Sequence, residues 1–114
     1  ITRGHVDILQ PDIVKAAGFT EFQKIAAIAS AFNVPIMVHN IQPTISTVAH
    51  LHFSVSCAGV PYYQEYNIES ISVRDEYPIL KEPLVIIDGY MEVPSGPGLG
   101  IDLDNSMVKR LADR

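Results

Sequence analysis

A single cysteine, Cys57, stands in a chain of 114 residues. With no second thiol there is no internal disulfide and no cysteine cluster for a metal, so a reducing, cytoplasmic setting is expected. Inside Val55-Ser56-Cys57-Ala58 the thiol reads as a small core side chain rather than a reactive one. Basic side chains are also in deficit: 8 Lys and Arg against 13 Asp and Glu leave a net charge of −5 with histidine neutral. That sign excludes nucleic acid and anionic membrane as electrostatic partners. No apolar run approaches the ~18 residues of a membrane span, and there is neither an internal repeat nor a low-complexity tract. The opening Ile1-Thr2-Arg3-Gly4-His5 has no initiator Met and none of the basic and apolar regions of a signal peptide, which points to a start inside a longer chain.

What is present suits a packed globular domain: 47% hydrophobic residues with 18% charged. Residues 8–39 read as one complete βαβ unit. The apolar run Ile8-Leu9 leads into Gln10-Pro11-Asp12, and Val34-Pro35-Ile36-Met37-Val38 leads into His39. Short runs that are apolar on both faces mark strands of a buried parallel sheet. Parallel neighbours joined by one crossover lie roughly 4.8 Å apart, so residues at their carboxyl ends can meet. Asp12 is therefore expected against His39, a carboxylate fixing the ring and favouring its protonated form, as a general base requires.

Between the two strands, Thr20-Glu21-Phe22-Gln23 matches a capping box and predicts a helix start at Thr20. Phe22, Ile25, Ala26 and Ala29, flanked by Ile28 and Phe32, form its apolar stripe, and Asn33 is a suitable terminator. Residues 40–44, with Pro43, read as a loop. Residues 45–58 fit helix or strand; helix is chosen because a second crossover returns the chain to a parallel strand at residues 62–66, near whose end Glu65 joins the rim. Residues 67–83 predict loop with a short helix. Asp88-Gly89 between two apolar arms predicts a hairpin, the glycine-rich residues 94–100 a turn, and residues 105–111 a closing helix.

Each candidate has a plainer reading. His39 can be a core-edge histidine, Asp12 a cap for the turn after the first strand, and Glu65 a solvated strand-end glutamate; the shared rim favours function. His50 and His52 lie two apart, point to different faces of a helix and make a poor metal pair, so both are structural or surface residues. The glycines of residues 96–100 lack the Lys-Ser/Thr of a phosphate cradle. Asp7, Asp102 and Asp104 read as solvated or capping residues rather than metal ligands.

Four blocks, in order, carry a family likeness: Gln10-Pro11-Asp12 with Ala17-Gly18-Phe19-Thr20-Glu21 and Lys24-Ile25-Ala26; Val34-Pro35-Ile36-Met37-Val38-His39; Tyr63-Gln64-Glu65; and Asp88-Gly89 with Val93-Pro94 and Pro97-Gly98-Leu99-Gly100-Ile101. Together they resemble the carboxyl-terminal part of the enolase superfamily, in its mandelate racemase/muconate lactonizing enzyme family and acid-sugar dehydratase group. Ala17 departs from that pattern, standing where a second glycine is common. The resemblance implies an α/β fold, the carboxyl-terminal portion of a (β/α)-barrel with its sixth to eighth strands. Residues 1–80 would belong to the catalytic barrel, and residues 81–114 to a tail whose hairpin packs on a capping domain. It implies that His39 and Asp12 form the catalytic dyad and that Glu65 lies beside the substrate. A weakly acidic carbon next to a carboxylate needs a Mg²⁺ ion as well as a histidine. Its ligands are expected outside these residues, so the segment alone should be inactive.

The expected activity is thus that of a Mg²⁺-dependent lyase dehydrating a sugar acid, with a racemase or epimerase of hydroxy acids, or a non-catalytic half-barrel module, as alternatives. The expected partners are a sugar acid or hydroxy acid, the remainder of the barrel with its capping domain, and further copies in a homo-oligomer.

Overall fold

The computed structural model of the chain describes residues 1–42, 44–67 and 78–113, and a short parallel pairing lies at its centre. Leu9 and Ile36 form a parallel bridge. Around it Leu9 N donates to Pro35 O at 3.0 Å, Met37 N to Leu9 O at 3.0 Å and His39 N to Pro11 O at 2.9 Å. Both prolines contribute carbonyls only, which is the one role in a ladder that proline can fill. The βαβ unit is thereby formed, and His39 sits on the same edge as Pro11 and Asp12.

The connecting helix, α1 (Phe19–Ala31), starts before the expected capping box. Its N-cap is Gly18, at φ 94, with no side-chain cap bond. Phe22 N donates to Gly18 O at 3.0 Å, so Thr20 already lies in the first turn and cannot serve as the cap. A tight turn sets this start: Ala16 N donates to Asp12 O and Gly18 N to Ile13 O, each at 2.8 Å, and Ala17 and Gly18 both take positive φ. The far end behaves as predicted. Asn33 adopts φ 53, Val34 N reaches Ala29 O at 2.9 Å and Asn33 N reaches Ser30 O at 3.0 Å, the paired bonds of a Schellman termination.

The second helix, α2 (Ile45–Ser56), confirms the helical choice for that stretch and buries Ser46, Thr47, Val48, Ala49, His50 and Phe53. Phe22 of α1 and Phe53 of α2 meet edge to face, with ring centroids 4.4 Å apart and planes at 81°. Ile13, Phe22, Ala29, Ile36, Val38, Ala49 and Phe53 form the core, and Cys57 packs at its margin. Full burial of a side chain such as Phe22 or Val38 contributes roughly 1.5–3 kcal/mol.

Residues 62–66 do not form the expected third strand. Ile36 N donates to Gly59 O at 2.8 Å, but Val38 N is met by the side-chain Oε1 of Gln64 at 2.9 Å. Pro61 has no N–H with which to continue a ladder, so the chain leaves the sheet there and returns a side chain instead. Pro43 and residues 68–77 of the expected 67–83 loop lie outside the described residues.

In the tail, β1 (Ile86–Ile87) pairs antiparallel with β2 (Tyr90–Met91). Asp88 at φ 51 and Gly89 at φ 82 supply the turn, both left-handed as a type I′ connection requires. Leu80 bridges Leu103 in antiparallel fashion. The last helix, α3 (Asn105–Ala112), follows Asp104, whose side chain accepts from Ser106 N and Met107 N. No helix among the described residues is long and apolar enough to cross a membrane.

Candidate functional site

His39 follows Ile36 and Val38, whose side chains are buried, and its own ring is about a third exposed. Strand geometry thus carries the ring from core to rim within a few residues. There its Nδ1 lies 2.6 Å from Glu65 Oε2. A carboxylate can only accept, so the ring proton belongs on Nδ1 and the bare nitrogen is Nε2, the one able to take up a proton from a substrate. The same Glu65 oxygen accepts from Asn40 N at 3.0 Å.

Asp12 has other partners. It is buried, and its Oδ1 accepts from Val14 N at 2.7 Å and Lys15 N at 3.3 Å, which caps the turn after the first strand. Its Oδ2 is buried without a hydrogen bond, with Lys15 Nζ at 3.8 Å. The expected Asp12 to His39 contact is therefore replaced by Glu65 to His39. Backbone pairing brings Asp12 and His39 to one edge, but the local turn claims the carboxylate of Asp12, since two amide donors are within its reach.

Asn40 was not singled out from the sequence and His50 was read there as a structural or surface residue; both belong to this cluster. Asn40 Nδ2 donates to Thr47 Oγ1 at 3.2 Å and to Glu65 O at 3.3 Å. His50 Nε2 accepts from Ile13 N at 2.9 Å, its Nδ1 lies 3.2 Å from Asn40 Oδ1, and Asp12 Oδ1 is 3.6 Å away. Burial pushes the His50 ring below its ordinary value and outweighs the opposing pull of Asp12, so the ring is held neutral. The available signal was helical spacing: Ser46, Ala49, His50 and Phe53 recur at three and four residues, a small or apolar set that places His50 on the inner face. His52, on another face, meets Leu99 O through Nε2 at 3.0 Å and ties α2 to the glycine-rich turn.

A cavity of about 220 Å³ between α2 and the hairpin is lined by Asn40, His50, Ser54, Glu65 and Tyr90 among others. His39 is not among its lining residues. Among the described residues no group of three or more His, Cys, Asp or Glu could hold a metal ion. Asp104 serves as the cap of α3, and its carboxyl is held below the usual range first by the Ser106 hydroxyl and then by the Met107 and Ser106 amides.

Comparison with known proteins adds a family to this geometry. A family model described as enolase C-terminal domain-like matches residues 1–107. The chain is 36% identical over 114 residues to D-galactarolactone cycloisomerase of Agrobacterium fabrum, covering 95% of this chain and 30% of that protein. It is 32% identical over 104 residues to D-xylonate dehydratase of Haloferax volcanii, covering 91% and 24% respectively. With D-galactonate dehydratase of Xanthomonas oryzae pv. oryzae it shares 36% over 110 residues, covering 94% and 29%. Among solved structures, an enolase superfamily member from Polaromonas sp. JS666 superposes with TM-score 0.75 at 32% identity, over 96% of this chain and 28% of that one. An enolase from alpha proteobacterium BAL199 with bound Mg does so with TM-score 0.72 at 28% identity, over 96% and 27%. The chain spans less than a third of the length of these relatives. With the family model extending over nearly its whole length and a parallel pairing crossed over by a helix at its centre, the chain belongs to the enolase C-terminal domain-like family and has that family's barrel-like fold.

Proposed function

We propose that this chain carries the proton-transfer side of a sugar-acid dehydratase, with His39 as the general acid and base. The observation that carries the reading is the His39 ring at a strand end, its Nδ1 held by Glu65 at 2.6 Å and its Nε2 without a partner among the described residues. The dehydratase names of the relatives from Haloferax and Xanthomonas support the substrate class.

In this reading Nε2 removes the proton α to the substrate carboxylate. The C–H electron pair becomes the new C=C bond as the β-carbon to oxygen bond breaks, and the departing hydroxide takes a proton to leave as water. Glu65 orients the ring, stabilises the imidazolium formed in the first step and borders the substrate. Asp12 supports the rim from the turn beside it. Mg²⁺ is the proposed cofactor, in keeping with the bound Mg of the BAL199 structure. The described residues do not form a site for it, so none is assigned to the ion and its ligands are placed in the remainder of the barrel. Residues 81–114 are proposed to pack on a capping domain.

The test is His39→Asn in the full-length protein that contains these residues. Turnover of a sugar acid and exchange of its α-hydrogen with deuterated solvent should both fall about 10²- to 10⁴-fold. Unchanged exchange would refute the assignment. Because a racemase or epimerase shares the first step, the product decides between them: a keto acid for dehydration, an epimer for racemisation.

A further inference from the structure

In the cluster beside His39, the proton positions of the buried ring and the orientation of the buried amide are forced. Ile13 N–H can only donate, so His50 Nε2, at 2.9 Å, is the bare nitrogen and the ring proton sits on Nδ1. That proton faces Asn40 Oδ1 at 3.2 Å, which fixes the amide with its Nδ2 toward Thr47 Oγ1 and Glu65 O. Thr47 Oγ1, having accepted, has two acceptors for its own proton, Gln42 O at 3.2 Å and Asn40 Oδ1 at 3.4 Å. Turning the Asn40 amide over would set its NH₂ against the His50 N–H, leaving two donors face to face. His50 and Asn40 are 3% and 4% exposed, so bulk water cannot repair such a mismatch. The charged groups facing this cluster are Asp12, with Lys15 on its far oxygen, and Glu65 itself.

We propose that His50 is a positioning residue: through Asn40 it holds the residue 65 backbone, and with it the Glu65 carboxylate, in register with the His39 ring. The route is continuous, from the Ile13 amide through the His50 ring and the Asn40 side chain to the Glu65 carbonyl. Asn40 N and His39 Nδ1 then share the Glu65 carboxylate oxygen at 3.0 and 2.6 Å. The proposal deepens the reading of His39 as the proton-transfer group and rests on it.

Two substitutions in the full-length protein separate positioning from mere packing. His50→Gln keeps an acceptor near the Nε2 position for Ile13 N but loses the donor to Asn40. His50→Asn keeps a donor near Nδ1 and loses the acceptor. Each breaks one buried hydrogen bond, so both should lower Tm. The glutamine variant should lose about tenfold in kcat with KM within about twofold, the scale of one lost buried hydrogen bond. The asparagine variant should stay within about threefold of wild type on the same scale.

A folded glutamine variant with wild-type kcat, or two variants that fall alike, would overturn the proposal. Should the glutamine variant not fold, Asn40→Ala decides in its place. It keeps the backbone amide on Glu65, introduces no bulk and should show the same kcat-specific loss; wild-type kcat there overturns the proposal too. His39→Asn is measured alongside. Persistent α-hydrogen exchange in that variant overturns the reading of His39 and this inference with it, whereas an inactive His39→Asn beside a fully active His50→Gln overturns this inference alone.

Discussion

Ala17 sits at φ 62, a backbone conformation that costs an L-residue roughly 1 kcal/mol or more and costs glycine almost nothing. Comparison with the family pattern already marked this position as one where glycine is common, and the positive φ supplies the reason. Ala17→Gly should stabilise the protein by about 0.5–1 kcal/mol after the greater entropy of unfolded glycine is subtracted. The check is the midpoint of denaturant unfolding at unchanged slope. Asn33 shows the same rule where the sequence already satisfies it, and its left-handed role was legible because asparagine tolerates that conformation. Thr20 was misleading because a capping box is a local pattern, whereas Gly18 starts the helix as a consequence of the preceding turn. His50 makes a prediction of its own. Its ring lies below the ordinary 6.5 in the folded state, so below that pH the unfolded chain binds more protons than the folded one. The stability it contributes is complete above about 6.5 and is lost as pH falls through the window beneath. The difference in Tm between pH 7.5 and pH 5.5 should therefore shrink in His50→Gln.

Helices α1 and α2 meet through Phe22 and Phe53, packed edge to face. Phe22 is fully buried, so Phe22→Ala should destabilise by about 3–5 kcal/mol. A double-mutant cycle with Phe53→Leu should return a coupling of roughly 0.5–1.5 kcal/mol, the excess expected of an aromatic pair. Additive losses would show that the two rings act as independent filler. The stripe of α1 was readable since its inner positions are apolar and its outer ones, Glu21 and Lys24, pair in the open at 2.6 Å. The buried face of α2 was harder to see. It includes Ser46, Thr47 and His50, polar residues whose burial depends on partners in other segments, such as Gln42 O for Ser46 and Thr47 and Ile13 N for His50. Those partners are invisible to periodicity. Residues 62–66 failed as a strand for a related reason: a second crossover returns the chain to the sheet, while Pro61 and the Gln64 side chain decide its hydrogen bonding there.

Topology accounts for what could be foreseen of the site. A single crossover brings the carboxyl ends of two parallel segments together, and His39 N on Pro11 O is the direct consequence. Which carboxylate faces the ring is a matter of side-chain competition at that rim, and Asp12 is taken by the turn while Glu65 is not. The surface carries a further consequence. Ile28 and Val55 on the helices and Phe32 at the end of α1 are about half exposed or more, and so are Val85, Ile87 and Tyr90 in and beside the hairpin. With β1 and β2 only two residues each, the hairpin has short free edges and no described sheet to join. Apolar area of this kind seeks cover. The 114-residue chain studied alone should therefore self-associate, giving a concentration-dependent mass in sedimentation velocity. Ile87→Lys combined with Tyr90→Lys should reduce that association, because a charge costs far more to bury than the apolar group it replaces. A monodisperse monomer at all concentrations would show that these faces are stable in water as they stand.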